Sequence, residues 1–426
     1  MFKYTCVVEL IMAYEVLKGT SDTIPSEKIK VNFVLDTVRK NFESYGFRPF
    51  DTPTIEYFDT LAMKYDKDAE IVQEIFSLTD RGSRELGLRY DLTTPLSRFV
   101  AMNIKSLKKP FRRYQIGNVF RDGPIKPGRL REFIQADGDV VGIEGIEIEA
   151  ELLRMFFDTY TQLGINSVIE INNNKILRGS LLQNGFKEKD LSSIILSIDK
   201  LKKIGREEVL KEILDKGFEI KKAEKALDIL NCNSFEEIEK LANNSLLNEG
   251  VLELKKLTEL ISSKVNFRIN FSMSRGLDIY TGNIWEAYDN SSRITSSIGS
   301  GGRYDRVIGE YAGVDENIPA VGVSFGIVPI LAAIGDKLQN KESLTDILVV
   351  PLDSNLVLDC FTIAEKLRVE GFNVEVFYGY KLKKAFDYAD YLGCKKIVIY
   401  GSKDKENKEY VLKNLSDGKE KKVKLK

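Results

Sequence analysis

Residues 73–175 carry four strand-length segments, EIFSLTD, ELGLRYDLT, FRRYQIGNVFRDG and LREFIQADGDVVG, in which large apolar residues alternate with charged ones. A period of two sends successive side chains to opposite faces. Such segments therefore form a sheet with one buried face and one working face. Turns between them predict antiparallel strands and place the chain in the α+β class. An amphipathic helix is predicted over Ser26–Tyr45, with Ile29, Phe33, Val34, Val38 and Phe42 on one side and Gly46 as its stop. Strands are predicted around Thr54-Ile55 and at VIEIN (168–172), and a further helix over Ile146–Leu163.

The texture changes from about Ile176 to Ser263, which is rich in Lys, Glu, Leu and Ile, helical in period and without a strand candidate. Strands resume after it as FRINFSM, DIYTGNIWEAY and SSIGSGGRYDRVIG, so the helical stretch reads as an insertion into a sheet domain. Trp285 is expected in the core, and PAVGVSFGIVPILAAIG predicts a strand running into a buried helix. Beyond a polar connector the pattern alternates strand and helix (DILVVPL, Leu356–Gly371, NVEVFYG, KLKKAFDYADYLG, KKIVIYG, YVLKNL), which predicts a small α/β domain with parallel strands. The expected organisation is an N-terminal extension (1–13), a catalytic core in two parts (14–175 and 264–335), a helical insertion (176–263), a linker (336–344) and a C-terminal domain (345–426).

The chain contains no histidine, which excludes Ser-His-Asp and Cys-His catalysis, imidazole metal sites and a histidine general base. Its chemistry must run on arginine, lysine, carboxylates, hydroxyls, backbone dipoles or a carboxylate-bound metal. With 63 basic and 64 acidic residues, any basic surface must be local. Cys6, Cys232, Cys360 and Cys394 are far apart, which argues against a disulfide framework or zinc site and for a reducing compartment. No apolar run approaches a membrane span, and the opening MFKYTCVVELI is too short and too charged for a signal peptide. A cytoplasmic protein is expected. Neither GxxxxGK[ST] nor GxGxxG opening a helix after a strand is present, so neither common phosphate cradle is available to a nucleotide.

The densest functional signal is FRDGPIKPGRLREFIQADGD (120–139). Arg121, Arg129 and Arg131 lie on or beside two strands joined by a Pro/Gly loop, and guanidinium forks there suit carboxylate or phosphate. A salt-bridged exposed strand is the alternative. Gln135 and Asp139 share one face of the second strand and want a polar ligand. A second cluster joins Arg275-Gly-Leu-Asp-Ile279-Tyr280-Thr-Gly to Gly299-Ser-Gly-Gly-Arg303-Tyr-Asp305. Its glycines suit close backbone approach to a ligand, or a tight turn. In LRYDLTTP, Asp91 and Thr93 are two apart, pointing the same way along a strand toward an ammonium group. Helix capping by Thr93 or Thr94 is an equal explanation.

In this order and spacing, LRYDLTTP, FRDGPIKPGRLREFIQADGD, RGLDIYTG and SSIGSGGRYD resemble histidyl-tRNA synthetase, and the terminal module resembles the anticodon-binding domain of that class II family. The resemblance spans roughly residues 14–415. Class I synthetases are excluded separately, since their HIGH signature needs histidine. The resemblance implies a class II antiparallel-sheet catalytic core with helical insertion and a C-terminal anticodon-binding-like domain. It implies a homodimer with Pro53 at its interface, and partners L-histidine, ATP, Mg2+ and tRNA(His). It further implies that Arg121 and Arg275 hold the α-phosphate and the substrate carboxylate. Asp91, Thr93 and Gln135 would take the ammonium, Asp139 and Tyr280 the imidazole nitrogens beside Ile279, and Arg121, Arg129 and Arg131 the ATP. Three positions depart from the family pattern: Leu130 and Ile279 stand where tyrosines are common, and Pro329 stands where an arginine normally stacks on adenine. Pro329 favours a second reading, a non-catalytic, histidine-sensing regulatory subunit of ATP phosphoribosyltransferase. The arginines of the 120–139 segment and the C-terminal domain argue against it. A non-catalytic tRNA-binding adaptor is the third reading, and it requires Arg121 and Arg275 to be vestigial.

Overall fold

The computed structural model describes residues 15–63, 70–125, 130–275, 279–291, 293–338 and 342–425. The expected extension at 1–13 and Arg129 lie outside the described residues. The chain divides into two compact units, one holding the described residues up to Ser21 and Val34–Gly335, the other Asp22–Phe33 and Asp336–Lys426.

The larger unit contains β1 (Arg48–Pro49), β2 (Ile55–Tyr57), β3 (Ser77–Thr79), β4 (Glu85–Leu88), β5 (Phe111–Phe120), β6 (Glu132–Val141), β7 (Ser167–Asn173), β8 (Phe267–Ile269), β9 (Asn283–Asp289), β10 (Gly299–Arg303) and β11 (Ala320–Gly326). Eight of these form one sheet in the order β1-β5-β6-β11-β10-β9-β7-β8, and β2-β4-β3 form a small second sheet. The large sheet is antiparallel through its centre, as its alternation implies. The edge pairs β1·β5 and β7·β8 are parallel. The loop joining β5 to β6 leaves Phe120 opposite Glu132, so the arginine-rich segment is a hairpin.

One face of this sheet is aromatic. Phe42, from the helix Pro25–Ser44, stacks on Tyr114 with centroids 5.4 Å apart, and Phe156 from the helix Glu147–Gln162 lies 4.9 Å from Phe325. Gly46 ends the first helix at φ +77°, a left-handed value at which an L side chain is strained. Trp285 is fully buried, as expected. The insertion is helical throughout, running from Asn174 to Ile261 in six α-helices and one 3-10 turn, and it enters between β7 and β8.

In the smaller unit, strands at Ile347–Pro351, Val374–Val376 and Lys396–Tyr400 pair in parallel, with Cys360 and Cys394 buried and unpaired on opposite sides of the sheet. The expectation of an all-parallel sheet fails at the end of the chain. Glu409–Asn414 returns antiparallel to Lys396–Tyr400 after the short helix Ser402–Asn407, and Glu420–Lys424 pairs antiparallel with that returning strand across a turn; neither connection is as long as a parallel crossover needs.

A Cβ on Gly301 would lie 2.3 Å from the carbonyl oxygen of Gly322 and 2.5 Å from the Trp285 indole nitrogen, with backbone on one side that cannot yield. Gly301→Ala is therefore expected to destabilise the larger unit by about 1–3 kcal/mol, read as a lowered urea midpoint with unchanged m-value.

Candidate active site

The second face of the large sheet is polar, and register explains why. Across hydrogen-bonded neighbours, Gln115 (β5), Asp137 (β6), Ser324 (β11), Ser300 (β10), Glu286 (β9), Glu170 (β7) and Arg268 (β8) form a single row. Paired residues share a face, so this row carries polar side chains from seven strands to one side. Two residues along, Arg113, Asp139, Gly322 and Gly302 form a parallel row.

A pocket with about 40 Å³ of water-accessible space opens here, lined by Thr93, Asp137, Asp139, Ile279, Tyr280, Ser300–Gly302, Tyr304 and Gly322–Ser324. Its floor depends on two glycines. A Cβ at Gly322 would come within 2.1 Å of Asp139 Oδ1, and one at Gly302 within 2.7 Å of the Tyr280 ring. The glycine run is thus a strand whose missing side chains make room for Asp139 and Tyr280. The tight-turn alternative is wrong.

Asp139 is fixed from two sides. The fully buried Arg113 guanidinium lies 2.7 Å from its carboxylate, and the Tyr304 hydroxyl donates to it. Burial raises the Asp139 pKa, against the opposing pull of Arg113. The neighbouring Asp137 is also buried, and burial, reinforced by the Asp139 charge, pushes it up to about 7. Asp137 Oδ1, Gln135 Oε1, Arg113 Nε and Nη1, and Arg275 Nε are buried without hydrogen-bond partners. Buried polar atoms are ordinarily paired, so this concentration marks where a polar ligand would supply partners.

The predicted residues fall as follows. Thr93, Asp139, Ile279 and Tyr280 line the pocket together. Gln135 reaches Ser324 of the pocket wall at 3.5 Å. Arg121 donates to the Tyr90 carbonyl at 3.2 Å, and its guanidinium lies 5.2 Å from the Phe133 ring centre. Arg275 lies 5.9 Å from the Tyr280 ring centre and forms an ion pair with Glu286. Its pKa is held above the usual value: burial opposes the charge, but Tyr280, Glu286 and Asp199 outweigh it. Arg131 pairs with Asp122 at 3.1 Å, its stem packed against Gly19.

One expectation is corrected. Asp91 and Thr93 do not share a strand face: β4 ends at Leu88, and Thr93 opens the helix Thr93–Asn103. Asp91 is itself the cap, accepting from the Thr94 N–H at 2.8 Å, because a carboxylate satisfies a free first-turn amide well. Arg303, at the end of β10, has a structural role. It is bound to Glu149 and to the carbonyls of Ile143 (3.3 Å) and Gly145 (3.1 Å), locking β10 to the helix Glu147–Gln162.

Sequence reasoning missed Asp137, Arg113, Tyr304 and Glu286. Asp137 was legible, since it falls midway between Gln135 and Asp139 in the same alternation. Arg113 becomes meaningful only through its pairing with Asp139.

The comparisons with known proteins agree with one another. The family described as "Histidyl-tRNA synthetase" matches residues 19–330, and "Anticodon binding domain" matches residues 346–426. The chain belongs to the histidyl-tRNA synthetase family. A protein of Bacillus cereus named "Histidine--tRNA ligase 1" is 40% identical over 415 residues, 96% of each chain. "Histidine--tRNA ligase 2" of Shouchella clausii is 39% identical over 423 residues, 96% of this chain and 98% of that one. The crystal structure of histidyl-tRNA synthetase from Nostoc sp. PCC 7120 superposes with a TM-score of 0.82 at 29% identity, covering 96% of this chain and 97% of that one. The architecture is accordingly a class II synthetase core with its insertion and an anticodon-binding domain. Within this family's pattern, Pro329 sits in the first turn of the helix Ile327–Ile334, where proline is tolerated. A Cβ on Gly326 would lie 2.8 Å from its ring.

The proton on Asp137 gives a pH signature. The folded chain keeps it to about pH 7, whereas the unfolded chain releases it near the ordinary carboxylate value, so stability from this group falls as pH rises between the two. Asp137→Asn removes the penalty. In urea titrations at about pH 5 and about pH 8, the variant is expected to gain stability relative to wild type at the higher pH.

Proposed function

We propose that this chain is a histidine–tRNA ligase that activates L-histidine with ATP and transfers it to the 3′ end of tRNA(His). One observation carries the assignment of the amino acid: Asp139, immobilised by Arg113 and Tyr304, shares a glycine-floored pocket with Tyr280. A carboxylate and a phenol suit a ring with two nitrogens, one donating to Asp139 and the other meeting the Tyr280 hydroxyl. Asp137 is a further acid on the same wall, and Ile279 supplies apolar contact.

In this reading the substrate carboxylate attacks the α-phosphorus of ATP, a P–O bond forms, and pyrophosphate leaves. The ribose hydroxyl of tRNA then attacks the acyl carbon and AMP leaves. Neither step needs a nucleophilic side chain. Both need alignment and fixed positive charge where oxyanion charge develops. Arg121 and Arg275 supply that charge from two sides, and Asp91, Thr93 and Gln135 orient the ammonium. ATP enters as its Mg2+ complex, with Arg121, Arg129 and Arg131 on its phosphate side. Arg131 would exchange Asp122 for phosphate there. Among the described residues no helix is long and apolar enough to cross a membrane. The homodimer is supported by exposed Pro53, Ile55 and Tyr57 at β2, an apolar edge for a second copy to cover. The lack of paired cysteines among the described residues accords with a cytoplasmic location.

Histidine-dependent ATP–pyrophosphate exchange tests the reading. Arg121→Ala and Arg275→Ala are each expected to lower exchange by about 10²-fold or more. Tyr280→Phe should raise the histidine KM by at least about tenfold with a smaller change in kcat. Histidine binding without exchange would instead favour the regulatory-subunit reading that Pro329 allows.

A further inference from the structure

On the polar face, Glu170 of β7 stands directly opposite Glu286 of β9. Like charges so placed repel, and each requires a cation. Glu170 receives Arg268, and Asn270 donates to its second oxygen at 3.0 Å. Glu286 receives Arg275. The helical insertion joins this arrangement at the corner between the helices Leu191–Ile198 and Leu201–Asp215. Lys202 from that corner lies 3.0 Å from Glu170 and 4.1 Å from the Tyr288 ring centre. Asp199, which ends the first of these helices, accepts a hydrogen bond from the Ser274 hydroxyl at 3.3 Å. Ser274 is buried and immediately precedes Arg275. The insertion thus holds the Ser274 side chain next to Arg275 with one side chain and the facing carboxylate with another.

We propose that Asp199 is a positioning residue for Arg275, so that the helical insertion sets how well the guanidinium meets the reacting carboxylate and α-phosphate. This rests on the ligase reading. Arg275 is a long side chain with one firm ion pair and an unpartnered Nε, and its value to a transition state depends on being held in place beforehand. A carboxylate anchored in the insertion holds the residue before it and adds to the negative surroundings that Arg275 faces. Movement of the insertion would reach the reacting atoms through this link. Loss of the link should appear in kcat, because substrate binding draws chiefly on Asp139, Tyr280 and the ammonium contacts.

The test uses the full chain and histidine-dependent ATP–pyrophosphate exchange, with histidine binding followed by calorimetry. Asp199→Asn keeps the side chain's shape and an acceptor for Ser274 but removes its charge. Ser274→Ala removes the hydrogen bond itself, and it keeps the proposal testable should Asp199→Asn fold poorly. Each is expected to lower kcat by about tenfold while the histidine KM and Kd stay within about twofold. In an Arg275→Lys background, Asp199→Asn should cost markedly less than it does alone, because the two act as one unit. Wild-type kcat in both variants would overturn the proposal. So would an equal loss in the Arg275→Lys background, or a loss confined to KM. Absence of exchange in the wild-type chain would overturn the ligase reading and this proposal together, so the two failures are distinguishable.

Discussion

The pairing of Arg113 with Asp139 is the interaction on which the rest of the polar face depends. Both residues are buried, and an isolated carboxylate there would be expelled or neutralised. The arginine opposes the burial that raises the Asp139 pKa, while the neighbouring Asp137, without an ion pair of its own among the described residues, is pushed up to about 7. The glycines at 302 and 322 then leave space above the sheet for Asp139 and Tyr280. Removing Arg113 would leave two buried acids with no compensating charge, a change of the order of 3–5 kcal/mol for a broken buried pair. The aromatic face bears the packing load that this polar face cannot. Phe42, Tyr114, Phe156, Tyr160 and Phe325 form a continuous ring cluster behind it.

Much of the fold was legible because its signals are local. The period of two marked β5 and β6, the helical texture marked the insertion, and Gly46 marked the end of the first helix. What escaped was set by partners remote in sequence. Nothing in YVLKNL says that its strand runs antiparallel to the one before it; that shows only in the pairing reached after the helix Ser402–Asn407. LRYDLTTP reads as strand by composition, yet Asp91 caps a helix that begins at Thr93, and the helical backbone turns Thr93 into the pocket by another route. The pocket followed the same division. Asp139 was read from strand spacing, and Ile279 and Tyr280 from the family resemblance; all three line the pocket. Arg113 and Tyr304 become visible only once β5, β6 and β10 lie side by side. Arg303, which follows the glycines, is turned by the alternation toward Glu149.

The absence of histidine fits the chemistry proposed. Activation of a carboxylate by ATP requires no general base with a pKa near neutrality, since the attacking group is already an anion. It requires cations held rigidly around phosphorus, and Arg121 and Arg275 keep their charge at any physiological pH. The cost of holding such groups near a sheet is the charge they impose on it, which Glu286, Glu170, Arg268 and Lys202 balance in alternation.

The central claim is that an imidazole is recognised at both nitrogens between Asp139 and Tyr280. Calorimetric titration of the wild-type chain with L-histidine, 1-methylhistidine and 3-methylhistidine tests it most directly. Each methyl group blocks one nitrogen and occupies space the pocket does not have. The account predicts that histidine binds and that both methylated forms bind at least about 10²-fold more weakly. Equal binding of either one would contradict it.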